Sequence, residues 1–164
     1  MGWQEDLDQI TRQERELVFE SFDFDTAWEL GSLIRATCLQ GKLSVVIDVR
    51  RFGQPLFYTA LEGTTPDNVD WVRRKSNVVA RFHRSSYAIG MRERIKDANL
   101  IESQGLALSD YATHGGSFPI TVGNAGVIGS MTVSGLPERQ DHAVVVDALC
   151  RILGRSSSDL RLPD

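Results

Sequence analysis

The stretch THGGSFPITVGNAGVIGSMTVSGLPERQDHAVVVDALC, residues 113–150, decides the fold. Two apolar segments rich in β-branched residues, 120–122 and 127–135, are joined by Gly-Asn-Ala-Gly, which is typical of a hairpin turn. The apolar run HAVVVDALCRIL then predicts a buried helix. Six of the chain's 14 glycines fall between Gly115 and Gly135. Because glycine loses the most backbone freedom on folding, this concentration indicates tight turns, or close approach of a ligand or another chain.

The rest of the chain alternates helical and extended patterns. The predicted elements are a helix near the N-terminus, a helix that starts at the Thr26–Glu29 capping pattern and ends at Gly41, a hairpin with strands 43–49 and 56–61, a helix from Pro66, a basic helix after Ser86, and a strand over 106–111. Consecutive strands at hairpin spacing favour an antiparallel sheet. Together with the two strands of the opening stretch, the pattern predicts an α+β sandwich.

Length and composition are those of a soluble globular domain. The chain has 164 residues, of which 41% are hydrophobic and 24% are charged. We expect a core domain at 25–154, preceded by an acidic helical arm at 1–24 and followed by a polar tail at 155–164. No apolar run approaches the roughly 20 residues that span a bilayer, no signal peptide is evident, and two cysteines do not make a disulfide framework. These features favour a cytoplasmic protein without a membrane segment.

Charge is distributed unevenly along the chain. The net charge is −4, with nine acidic against two basic residues in 1–29, and eight basic residues against Glu93 alone in 71–96. This asymmetry is compatible with pairing within the chain or between subunits, with an anionic ligand on the basic segment, or with a solvated helix face. We expect no nucleic-acid partner, because no nucleic-acid-binding signature accompanies the basic segment.

Three clusters of residues are candidates for binding a small anionic ligand. The first cluster combines an aromatic side chain with cations, the second is a flexible loop beside a histidine, and the third is a helix start that favours anions. The candidate residues are Trp71, Arg73, Arg74 and Lys75; His114, Gly115, Gly116, Phe118 and Pro119; and Ser134, Gly135, Gln140, Asp141 and His142. The alternatives are a core tryptophan with solvated cations, a tight turn and ordinary helix capping. No phosphate-binding glycine motif is present, and the three histidines lack metal-site spacing, so no metal site is predicted.

The motif GGSFPI, followed by AGVIGSMTVSGLPERQDHAVVVDAL, resembles that of the haem-degrading-domain family, which includes HbpS, GlcG and the C-terminal domain of PduO. The matching positions are Gly115, Gly116, Pro119, Ile120, Gly126, Ile128, Gly129, Val133, Ser134, Gly135, Gln140 and Asp141. The segment DWVRRKSNVVARFHRSS is similar to a narrower, uncharacterised branch of that family. The resemblance covers about 26–153, which is most of the chain.

The resemblance implies a profilin/roadblock-like α-β-α sandwich around a five-stranded antiparallel sheet. It also implies dimers that assemble into larger rings or shells, with haem or a related tetrapyrrole as a possible ligand near a subunit interface. Three functions stay open: a ligand-binding homo-oligomer, a scaffold or adaptor in protein traffic or chaperone work, and a haem-degrading or small-metabolite enzyme. No catalytic residues are predicted. Adjacent helical residues such as Asp141 and His142 point about 100° apart and do not readily form an acid–base pair.

Overall fold

The computed structural model describes residues 2–164. Within that range the elements, in chain order, are α1 (Trp3–Glu16), α2 (Phe24–Gln40), β1 (Val46–Arg51), β2 (Gln54–Ala60), α3 (Pro66–Phe82), α4 (Ser86–Lys96), α5 (Leu100–Ser103), β3 (Ser117–Val122), β4 (Gly126–Ser134), α6 (Glu138–Leu153) and α7 (Ser157–Leu160). The predicted α+β class is confirmed. Among these residues, no helix has the length and apolar character needed to cross a membrane.

The sheet has four antiparallel strands in the order β2-β1-β4-β3, so the prediction of five strands is wrong. The missing strand is 106–111, which forms a loop of turns. Side chains of α3 donate hydrogen bonds to the backbone carbonyl oxygens of this loop. Arg74 donates to the carbonyl oxygen of Leu108 at 2.6 Å, and Asn77 donates to that of Asp110 at 2.8 Å. The carbonyls therefore pair with a helix instead of a neighbouring strand.

The two faces of the sheet differ in chemistry. On β1, Ile47 and Val49 belong to the main apolar core, to which α2 and α6 contribute residues such as Leu30 and Leu149. The alternate residues of a strand face the opposite side. That side of the sheet is packed against α3, and its buried residues are largely polar: Asp48, Ser117, Ser130, Thr132 and Ser134. Both clefts described below open on this polar side.

The N-cap of helix α2 lies three residues before the predicted N-cap, Thr26. Asp23 is the N-cap, and its carboxylate accepts hydrogen bonds from the Thr26 backbone N–H at 2.7 Å and the Thr26 hydroxyl at 2.8 Å. Thr26 is therefore the third helical residue. Aspartate and threonine can both cap a helix, and the sequence pattern does not distinguish which of the two acts.

Both ends of the chain pack against the domain. Helix α1 lies on α4 with Ile10 fully buried, and Glu14 accepts from the Ser85 backbone N–H at 2.7 Å and pairs with Arg84. One acidic residue of the N-terminal segment thus pairs with the basic segment within the chain, through Glu14 and Arg84. The polar tail also packs on the domain: Leu160 in α7 is 1% exposed, and its carbonyl oxygen accepts a hydrogen bond from the Gln13 side chain at 2.6 Å.

Candidate ligand-binding cleft

A cleft of about 200 Å³ lies between the N-terminal half of α3 and the turn that joins β4 to α6. Six of the nine residues that line it are among the candidates from the sequence, and they come from three separate clusters of the chain. These six are Trp71, Lys75, His114, Ser134, Gly135 and Asp141; the other three are Asn68, Leu136 and Glu138. The fold therefore brings together one part of each predicted cluster.

The floor of the cleft is a buried ion pair between Lys75 and Asp141, whose Nζ and Oδ2 atoms are 2.9 Å apart. Asp141 also accepts from the backbone N–H groups of Leu136 at 2.9 Å and Gly135 at 3.3 Å. Burial lowers the pKa of Lys75 and raises the pKa of Asp141, while their mutual attraction opposes both shifts. Asp141 therefore fixes the β4–α6 turn to α3, and Lys75 is compensated before any ligand arrives.

The exposed functional group of the cleft is the imidazole of His114. Its ring packs edge-to-face on Trp71, with ring centroids 4.9 Å apart, and the guanidinium of Arg74 lies 4.6 Å from the Trp71 ring centroid. Partial desolvation lowers the pKa of His114, and Lys75 acts in the same direction, although Glu138 opposes them. His114 is therefore neutral at pH 7 and can ligate a metal ion or accept a hydrogen bond.

Gly115 and Gly116 serve packing. A Cβ on Gly115 would lie 2.4 Å from the Glu138 carbonyl oxygen, and one on Gly116 would lie 2.3 Å from that of Val133. Gly116 also has φ of +134°, a conformation that favours glycine. These two glycines let the loop that carries His114 lie directly on α6 and β4.

Several other candidates lie outside the cleft. Arg73 forms exposed ion pairs with Asp70 and Asp110, each at 3.0 Å. Phe118 and Pro119 are buried in β3. Phe118, a candidate residue for ligand binding, belongs to the apolar core because its strand is covered on that face. Gln140 is exposed on α6.

His142 is a core residue that joins α6 to α1. It is 1% exposed, its Nε2 lies 2.8 Å from the Gln13 side-chain oxygen, and its ring packs near those of Tyr87 and Phe118. Burial lowers the pKa of His142 to about 3. His142 is thus neutral and separate from the cleft, although it follows Asp141 directly in sequence.

Sequence reasoning missed Asn68, Leu136 and Glu138. Two of them carried a signal. Asn68 stands three residues after Thr65, and its side-chain oxygen accepts from the Thr65 backbone N–H at 2.9 Å as half of a capping box. Glu138 opens α6, where an acidic residue complements the helix dipole, and it pairs with Arg94.

The sequence model of the haem degrading protein HbpS-like family matches residues 22–150. The chain belongs to this HbpS-like family. The resemblance drawn from the glycine-rich motifs is confirmed. So is the narrower branch: the UPF0303 protein of Acidobacterium capsulatum is 55% identical over 163 residues, 99% of each chain, and that of Burkholderia thailandensis is 56% identical over 157 residues, 96% of this chain and 95% of the relative.

Solved structures share the HbpS-like fold. Ybr137w superposes with a TM-score of 0.83 at 27% identity, covering 90% of this chain and 87% of that one. HbpS superposes with a TM-score of 0.63 at 16% identity, covering 82% of this chain and 91% of HbpS. A protein described as a PduOC:Heme complex gives 0.61 at 15% identity, over 79% and 94%. The last two likenesses concern the fold.

We expect Lys75→Met to lower the free energy of unfolding by about 3–5 kcal/mol, because it leaves Asp141 buried without its counter-charge. The double variant Lys75→Met/Asp141→Asn should lose much less than the sum of the two single changes. Urea unfolding of all four proteins measures this coupling. Arg73→Met is the control, since its ion pairs are exposed, and it should cost less than about 1 kcal/mol. Additive losses would contradict the pairing.

We expect stability to fall as the pH drops from about 6.5 toward 3, partly because of His142. The unfolded chain protonates this residue near pH 6.5, whereas the folded protein resists protonation until about pH 3. Acid therefore favours the unfolded state across this window, by at most about 1.4 kcal/mol per pH unit. Urea unfolding at pH 7, 6, 5 and 4 should give a shallower slope for His142→Gln. Equal slopes in the two proteins would refute the assignment.

Proposed function

We propose that this HbpS-like protein is a ligand-binding homo-oligomer whose cleft takes a flat ligand at His114, with haem as the leading candidate. The observation that carries the proposal is the neutral, exposed imidazole of His114, braced by Trp71 at the mouth of an open cleft. A single histidine is a sufficient protein ligand for haem iron. When bound, haem would supply redox chemistry or a place to bind small ligands.

The residues of the cleft can hold only one side of a haem molecule. Pockets that enclose drug-sized ligands usually measure about 300–1,000 Å³, and this cleft holds about 200 Å³. Lys75 and Arg94 are already paired with Asp141 and Glu138, so neither is a free partner for a propionate. We therefore propose that a second copy of the chain covers the rest of the ligand. The haem-bound PduOC structure, which shares the fold, supports this choice of ligand.

Catalysis is not part of this proposal. Asp141 is 1% exposed and accepts hydrogen bonds from two backbone N–H groups and from Lys75, so its carboxylate serves the structure and is closed to a substrate. Glu138, the other acidic group of the cleft, is paired with Arg94. The acid–base pair that an enzyme needs would have to include His114 and a group from another chain.

Self-association is supported by large aromatic side chains on the surface of α2. Trp28 is 63% exposed and Phe24, one turn earlier, is 48% exposed. The Trp28 ring packs edge-to-face on Phe57, and the guanidinium of Arg51 lies 4.4 Å from the Phe24 ring centroid, so both rings are held in defined positions. Contiguous apolar surface of this kind is typical of protein interfaces. We propose a second copy of this chain as the occupant.

We expect hemin to bind saturably, with a shifted Soret band that His114→Ala abolishes or weakens at least tenfold. An absorption titration measures it. His83→Asn is the matched control, because His83 is the other exposed histidine and its left-handed backbone suits asparagine. The control should bind as the wild type does. Absence of a saturable shift, or equal losses in the two variants, would overturn haem ligation by His114.

Light scattering should give a mass at least twice that of the 18.3 kDa chain. Trp28→Lys should shift the distribution toward smaller species, because it puts a charge on the proposed contact surface. Trp3→Lys is the control, since Trp3 is only 37% exposed and lies on α1, away from α2. A monomeric wild-type protein, or identical masses for the three proteins, would refute the α2 surface as an interface.

A further inference from the structure

We propose a second ligand site, for a small carboxylate or phosphate that carries an apolar group, at the C-terminal half of α3. A cleft of about 180 Å³ lies there between α3, the β1–β2 turn and the start of β4. Its lining includes Arg50, Phe52, Asn77, His83, Ile128 and Ser130. None of these residues lines the His114 cleft, so this inference does not depend on the proposed function.

Arg50 is held in place by a buried carboxylate. Its Nε donates to Asp48 Oδ1 at 2.7 Å, and Asp48 is fully buried while the Arg50 side chain is 28% exposed. Within residues 2–164 the two terminal nitrogens of Arg50 donate to no protein atom, and Asp48 Oδ2 has no partner either. Burying a carboxylate with one unsatisfied oxygen costs free energy. The buried Asp48 carboxylate orients the Arg50 guanidinium, whose two terminal nitrogens stay free to bind an anion.

Further polar groups with unused capacity converge on the cleft. Ser130 is 5% exposed, and its hydroxyl makes no hydrogen bond within the described chain. The Asn77 amide nitrogen donates to the Asp110 carbonyl, which leaves the amide oxygen unpaired among the same residues. His83, the C-cap residue of α3, contributes an imidazole. An arginine fork beside a hydroxyl and an imidazole is the chemistry that recognises a carboxylate or a phosphate.

The mouth of the cleft carries an aromatic side chain in an unfavourable place. Phe52 is 79% exposed and has φ of +49°, in a two-residue turn completed by Gly53 at φ of +80°. Asparagine or glycine normally occupies the first position of such a turn. Phenylalanine there carries both a conformational and a solvation cost. Together with Val127 and Ile128, it provides an apolar wall beside the anion-binding groups. The ligand is therefore expected to combine an anionic end with an apolar part.

The test uses isothermal titration of the full chain with phenyl phosphate and with benzoate, and with benzyl alcohol as the uncharged analogue. We expect saturable binding of at least one anion at one molecule per chain, with no binding of the alcohol. The stronger of the two anions distinguishes phosphate from carboxylate recognition. Arg50→Gln should weaken binding at least tenfold, because a charge-assisted hydrogen-bond pair is lost. Arg51→Gln, which removes the same charge beside Phe24 instead, should bind within twofold of the wild type.

A second pair of variants keeps the test decisive if Arg50→Gln is unstable. Ala80 lines the cleft from an exposed position of α3, where glutamate and glutamine are both compatible with the helix. Ala80→Glu should abolish anion binding by charge repulsion, whereas Ala80→Gln should retain it within about threefold, and His114→Ala should leave it unchanged. Absence of saturable binding by either anion, equal binding by the two Ala80 variants, or equal losses in the Arg50 and Arg51 variants would overturn the proposal.

Discussion

The buried ion pair between Lys75 and Asp141 is the interaction on which the rest of the polar side of the molecule depends. It joins residues 66 positions apart and ties α3 to the start of α6. Removing two charges from water is costly, and the cost is met only when every remaining lone pair and proton has a partner. The backbone N–H groups of Gly135 and Leu136 donate to the Asp141 carboxylate, and the Val133 carbonyl and Ser134 hydroxyl accept from Lys75 Nζ at 3.5 Å. The β4–α6 turn is therefore fixed by the same carboxylate that neutralises Lys75.

The polar packing of α3 explains why both clefts lie along this helix. On the opposite face of the sheet, apolar side chains from α2 and α6 fill the space without directional requirements. Serines, threonines and charged groups pack less freely, because each must find a hydrogen-bond partner. Along the middle of α3 they do so: Ser117 and Thr132, for example, share a hydrogen bond at 2.8 Å. Toward the two ends of the helix, the groups that remain open to solvent define the two clefts.

The sequence was most informative where the signal was local. The hairpin turn at Gly123–Gly126, the proline-started α3 and the long apolar α6 all follow from patterns within about 15 residues. The error at 106–111 has a different origin, since the carbonyls of that loop bind arginine and asparagine side chains from a helix more than 30 positions earlier. A local sequence pattern does not predict a contact between residues so far apart in the chain.

The candidate site shows the same division. Trp71, His114 and Asp141 belong to separate motifs, and their residue types marked them for attention before the fold brought them together. The sequence placed Asp141 and His142, which are adjacent in the chain, in one candidate cluster for ligand binding. On a helix they point about 100° apart. One therefore reaches Lys75 across the cleft, and the other reaches Gln13 on α1 in the core.

Within residues 113–150, the glycines help to set the shape of the cleft, and His114 supplies its exposed functional group. The residues that set the shape are called the frame below. Gly116 and Gly135 bring backbones closer than a Cβ allows, with Val133 and Ser44 as their neighbours. These contacts and the Lys75–Asp141 pair set the shape of the cleft. His114 contributes nothing comparable to that frame, because its side chain is exposed and its ring meets that of Trp71 edge-to-face. Exchanging this imidazole should therefore leave the walls of the cleft in place, which is what the proposed binding role of His114 requires.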